Sequence, residues 1–160
     1  MIRKSNKDMF QRLQNSPHLL ELTYQVAYKA MLPFRRWLLP GSWAERVFIW
    51  LEKLSKGAIF DCRMCGQCVL HNTGMTCPMT CPKNLRNGPC GGVLLTGNCE
   101  IYPDRPCIWV QAWERSKNMP VFGHEITHIQ VPLNHQLRDT SAWINDLHRK
   151  QEMIPPGWER

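Results

Sequence analysis

No stretch of this 160-residue sequence approaches the roughly 18 uncharged apolar residues that cross a bilayer as a helix. The most apolar region, residues 19–51, is interrupted by Glu21, Lys29, Arg35, Arg36, Glu45 and Arg46. The start, MIRKSNKDMFQRLQNSPHLLEL, lacks the apolar run and small-residue cleavage site of a secretory leader. Neither GxGxxG nor a P-loop occurs, so the sequence shows neither of these nucleotide-binding motifs. Residues 1–57 lack cysteine altogether, and residues 58–107 are poor in large aliphatics. The middle segment therefore cannot offset its ordering entropy by apolar burial alone.

That segment holds something else: all eight cysteines, six of the ten glycines and five of the twelve prolines. With no leader, the expected compartment is the cytoplasm, where thiols stay reduced and a cysteine cluster points to metal rather than disulfides. The formal charge of +7 would suggest nucleic acid or an acidic partner. Eight thiolates around two groups of charge +2 remove more than half of that excess, so no nucleic-acid partner is expected.

Three regions follow along the chain. Residues 1–57 read as a helical arm, with a start at Ser16-Pro17, a kink near Pro33 and a break at Pro40-Gly41. Ser42 and Glu45 fit a capping box for a helix stopping at Gly57. Its Val47, Trp50, Leu51 and Leu54 recur at i, i+3, i+4, i+7, which predicts that this face is buried, the arm packing on the cysteine module or on another subunit. A membrane-surface role, suggested by Phe34, Arg35, Arg36 and Trp37, is the lesser reading. Residues 58–150 form the cysteine-rich domain, and 151–160 a tail. Within them IWVQAWERSK reads as a short helix, Pro120 to Pro132 as extended, and AWINDLHRKQEM as a last helix capped at Thr140-Ser141. The expected fold is mainly α with an irregular, loop-rich metal module and no large sheet.

The cysteines run Cys62, Cys65, Cys68, Cys77, Cys81, Cys90, Cys99 and Cys107. CxxCxxC places three thiolates where they wrap corners of one cubane, and Cys77-Pro78 and Cys81-Pro82 each offer the following Cys-Pro. Eight thiols fill two four-thiolate sites, either two [4Fe–4S] clusters or two zinc ions. Zinc ribbons usually present two separate CxxC knuckles, whereas three thiols here share one knuckle before wide single spacings, which favours iron–sulfur. The expected grouping sets Cys62, Cys65 and Cys68 with Cys107, and Cys77, Cys81, Cys90 and Cys99 together. Gly66, Gly88, Gly91 and Gly92 flank ligands and are candidates to let backbone N–H groups approach a cluster. Trp109 and Trp113 are expected to cover a cluster. Lys83 and Arg86 are candidates to offset its charge, or else are solvated.

His124-Glu125-Ile126-Thr127-His128 matches the zinc-peptidase pattern H-E-x-x-H literally. The enclosing prolines and β-branched residues favour a strand, which would hold the two histidines about 13 Å apart, too far for one ion. A zinc peptidase is therefore a remote alternative, and no catalytic residue is assigned.

The stretches CRMCGQC, CPMTCPK, RNGPCGG, Gly97-Asn98-Cys99-Glu100, Cys107-Ile108-Trp109 and Thr140 to Asn145 resemble, in that order, the cysteine-rich C-terminal domain of certain methylenetetrahydrofolate reductases. The resemblance covers roughly residues 58–150. It implies kinship with the small iron–sulfur subunit made beside a flavin-containing (β/α)8 barrel subunit, as in acetogens. A barrel needs about 250 residues, so the resemblance implies that the barrel is a separate partner. The implied role is electron transfer to or from the partner's flavin, which reduces 5,10-methylenetetrahydrofolate to 5-methyltetrahydrofolate. A further electron-donor protein is a possible partner. A structural or regulatory zinc module of the same enzyme is the alternative.

Overall fold

The computed structural model describes residues 13–155, 157 and 158. The first twelve residues of the expected arm, and parts of the expected tail, lie outside them.

Helix α1, Pro17–Met31, opens with proline at its first position, where the missing N–H costs nothing. It does not kink at Pro33. It gives way to a 3-10 turn, Leu32–Phe34, because Pro33 cannot continue the α-helical hydrogen-bond ladder. Its buried Glu21 accepts hydrogen bonds from the backbone N–H groups of Val121 (3.0 Å) and Phe122, which ties the 119–122 loop to the helix. Beside this tie, Leu20, Leu70, Met75 and Met119 form one apolar core.

Helix α2, Trp43–Phe60, begins at Ser42, whose hydroxyl accepts from the Glu45 N–H at 3.3 Å. It runs past the expected stop at Gly57 and ends at Asp61, which takes the left-handed conformation (φ 50°). The chain is thereby delivered directly into Cys62. The face expected to be buried is not. Trp43, Val47, Trp50 and Leu54 are 75, 47, 63 and 61 % exposed, and Leu51 is exposed with them. The opposite face buries Glu45, Glu52 and Lys56 instead. Those charges have partners inside, which periodicity alone does not reveal.

Helix α3, Ile108–Ser116, starts immediately after Cys107, and α4, Ala142–Leu147, starts at Ser141, whose hydroxyl accepts from the Ile144 N–H at 3.3 Å. The last helix is shorter than expected. Arg149 turns left-handed (φ 56°) and only a 3-10 turn, Lys150–Glu152, follows. Leu38, Ile144 and Leu147 form a second core, packed by Tyr28, Met31, Ala44 and Phe48 from α1 and α2. Tyr24 of α1 stacks on His71 at 5.2 Å and on Trp143 at 5.0 Å, and its hydroxyl donates to Asp146 at 3.1 Å.

The described residues contain no strand, only the isolated bridges Val93–Cys99 and Asn98–Pro106. The architecture is mainly α with an irregular middle. Residues 120–132 are not an extended segment throughout, because Gly123–Thr127 coils into a 3-10 helix. Gly123 packs against the Ser116 carbonyl at the end of α3, and Glu125 faces His71 at 3.7 Å. With no neighbouring strand to pair, β propensity loses to these tertiary ties.

Candidate metal centre

All eight cysteines are free thiols. Between them they line two adjoining cavities, with Cys65 and Cys77 shared by both.

The first cavity is enclosed by Cys62, Cys65, Cys68 and Cys77, with Glu52, Lys56 and Arg86 in its wall. Cys77 lies here beside the CxxCxxC thiols as well as in the second cavity with Cys81, Cys90 and Cys99, and Cys107 lines only the second. Local geometry positions three of the sulfurs in the same way, since each receives the backbone N–H two residues onward. Met64 N–H donates to Cys62 Sγ at 3.4 Å, Leu70 N–H to Cys68, and Met79 N–H to Cys77. Burial nevertheless raises the pKa of Cys62 and Cys68 and pushes Cys77 up to about 12, and the neighbouring thiols add to each shift. Thiolates crowded in a buried site are costly unless positive charge is placed among them.

The cavity wall supplies part of that charge. Lys56 is buried, which disfavours its ammonium, but Cys68, Glu52 and Cys62 outweigh the burial and raise its pKa. Its Nζ lies 3.0 Å from Glu52 Oε2 and 4.9 Å over the Trp143 ring. Arg86 donates from Nη2 to the Gln67 carbonyl at 2.9 Å, within the CxxCxxC loop. Its Nε and Nη1 are buried without a partner. Such donors call for an acceptor in the adjoining space. Glu52 and Lys56 escaped the sequence reading. The signal was their spacing: Glu45, Glu52 and Lys56 recur at i, i+7, i+11, a charged stripe opposite the apolar one.

The second cavity is an open cleft of about 1340 Å³, lined by Cys81, Cys90, Cys99 and Cys107 together with the shared pair. A folded-back loop gathers these distant residues. Cys99 N–H donates to the Arg105 carbonyl and Cys107 N–H to the Gly97 carbonyl, each at 3.0 Å. Lys83 pairs with Glu100, whose carboxylate lies over Gly92 and 4.0 Å from Cys90 Sγ. The Lys83 pKa is raised by that hydrogen bond to Glu100.

The glycines divide. Gly66 lines the first cavity in a left-handed conformation (φ 74°), and the Leu137 carbonyl occupies the space a Cβ would need. Gly92 lines the cleft, whereas Gly88 and Gly91 line neither thiol cavity. Trp109 is buried beside the cleft and donates to the Leu85 carbonyl at 3.1 Å, while Trp113 is half exposed and lines neither cavity.

In the H-E-x-x-H stretch, His124 and His128 meet edge to face with ring centres 6.2 Å apart, not the separation of a strand. Glu125, the base a peptidase needs, faces His71 instead, and burial raises its pKa. His71 is held neutral by burial, its pKa lowered to about 4. Among the described residues, no three His, Cys, Asp or Glu side chains converge on a point that holds one metal ion.

A family model described as the methylene-tetrahydrofolate reductase C-terminal domain matches residues 42–136. The chain belongs to this family. The matched span contains all eight cysteines, α2 and α3, and leaves α1 and α4 outside. Compared with the resemblance read from the sequence, it starts earlier, at the N-cap of α2, and ends before residues 140–145. No curated protein and no solved structure matches. The family match fits association with reductase proteins, and the cysteine content fits metal binding. No helix among the described residues is long and apolar enough to cross a membrane.

Proposed function

We propose that this chain is the electron-transfer subunit of a methylenetetrahydrofolate reductase, holding two [4Fe–4S] clusters and exchanging electrons with the flavin of a separate barrel subunit. The observation that carries the reading is the distribution of the thiols. Four surround one cavity, four more line the adjoining cleft, and none is left over.

The residues fit such a group. Cys62, Cys65, Cys68 and Cys77 would hold the first cluster, and Cys81, Cys90, Cys99 and Cys107 the second. Bound there, iron–sulfur clusters supply single-electron storage without acid or base chemistry. The chain's own residues set the conditions. Met64, Leu70 and Met79 direct N–H groups at sulfur. Arg86 Nε–H and Nη1–H offer the unmet donors that an anionic group accepts. Lys56 adds buried positive charge, which favours the more negative, reduced state. Cys65 and Cys77 line both cavities, so clusters held there would be neighbours.

The test is reconstitution without air with the flavin-loaded barrel subunit of the same organism. Chain prereduced with dithionite and desalted should bleach the flavin, and Cys68→Ser chain should transfer less. If prereduced chain leaves the flavin oxidised in a stable complex, the electron-transfer reading fails.

A further inference from the structure

Helix α2 is inverted relative to its sequence pattern. Its buried face carries Glu45, Glu52 and Lys56 at 7, 3 and 8 % exposure. At 100° per residue, Trp43, Val47, Trp50 and Leu54 centre on the opposite side, and all four are exposed. Burying such side chains is favourable, so an uncovered stripe of four calls for a partner. The inner face cannot satisfy it by rotation, because Glu52 is fixed to the start of α4 by Ser141, Ala142 and Trp143.

We infer that the outer face of α2 is the docking surface for the catalytic barrel subunit. This rests on the partner named in the proposed function. Three observations favour that occupant. The family match begins at residue 42, the N-cap of this helix, so the stripe belongs to the family unit, whereas α1 lies outside it. The family description is that of a reductase C-terminal unit, so in a reductase that carries the unit at its C-terminus the rest of the enzyme would precede the end of α2 where the stripe begins, at Trp43. The inner face of the same helix lines the first thiol cavity through Glu52, Lys56 and Phe60. A partner on the outer face is then separated from that cavity by one helix, about 10–12 Å.

Charge narrows the partner's chemistry. Arg46 and Lys53, both exposed, lie i, i+7 along one edge of the stripe. The complementary surface is an apolar patch with carboxylates along one margin. A lipid surface fits less well, since an interfacial helix turns its polar face to water, and here that face is packed inside the protein.

Full-length cluster-loaded chain is titrated without air against the flavin-loaded barrel subunit, by calorimetry. Trp50→Glu and Leu54→Glu should each weaken binding at least about 30-fold, the scale of an interface hot spot. Lys53→Glu should weaken it less and flatten the salt dependence. Ile129→Glu, an exposed apolar control at 88 % exposure, should bind as the unaltered chain does. Iron content and melting temperature should stay unchanged throughout. The inference is overturned if the stripe variants bind normally or the unaltered chain does not bind the barrel. It is also overturned if the variants lower the melting temperature while binding persists. Loss of a homodimer, or of binding to phosphatidylglycerol–phosphatidylcholine vesicles, with barrel binding intact would assign the stripe elsewhere. Failure of the electron-transfer reading shows separately, as iron-free chain or unreduced flavin in a complex that still forms.

Discussion

Ser141 Oγ donates a 2.6 Å hydrogen bond to Glu52 Oε1 across 89 residues, with both side chains buried. The same carboxylate accepts from the N–H groups of Ala142 (3.3 Å) and Trp143 (3.1 Å), satisfying the first turn of α4. It also holds Lys56 in the wall of the first thiol cavity. One carboxylate thus joins α2, α4 and the candidate metal centre.

Glu52→Ala leaves Lys56 buried without its anion and uncaps α4. The expected loss is about 3–5 kcal/mol, the range for breaking a buried pair, read by chemical denaturation of the cluster-loaded chain. Ser141→Ala removes one cap and should cost about 1 kcal/mol. Because the two residues share a hydrogen bond, the double variant should lose less than the sum of the two. A strictly additive pair would show that the contact contributes nothing.

The thiol sets should behave as two groups. Cys77→Ser should remove about half of the iron and alter the same electron-spin signal as Cys68→Ser, whereas Cys99→Ser should alter the other signal. The second set opens on a cleft of about 1340 Å³ while the first lines a narrow cavity of about 20 Å³, so chelator should strip iron in two phases, the cleft set first. Cys77→Ser pairing spectroscopically with Cys99→Ser would refute the grouping.

Burial lowers the His71 pKa from 6.5 to about 4. A depressed histidine contributes stability that is present above pH 6.5 and lost as pH falls toward 4. The full loss is about 3 kcal/mol at 1.36 kcal/mol per unit. Glu125, facing it at 3.7 Å, has a raised pKa and acts in the opposite sense, so it blunts the loss. His71→Gln should flatten the stability profile between pH 6.5 and 4. An unchanged slope in that variant would show that His71 titrates normally.

Much of this was legible in the residues. CxxCxxC, the Cys-Pro pairs and the Asn-Gly-Pro-Cys-Gly-Gly turn announced a metal module in a segment too poor in aliphatics to fold otherwise. Ser42 and Ser141 announced helix starts, because capping is local chemistry. The orientation of α2 was not legible. An apolar stripe states that a face will be covered, not by which molecule, and the carboxylates of Glu45 and Glu52 add to their local partners the Ser141 region about 90 positions away, which turns this face inward. The closeness of Cys77 to the first three thiols was equally hidden, since loop closure costs little entropy and spacing ranks the candidates poorly. The β-branched run at 126–131 misled because strand propensity needs a neighbouring strand, and here α3 and His71 took its place.

Iron and acid-labile sulfide, counted together with zinc in chain purified without air, test the central claim most directly. The account predicts about eight irons and eight sulfides per chain, with visible absorbance that bleaches on addition of dithionite. Colourless protein carrying two zinc ions and no sulfide would contradict it.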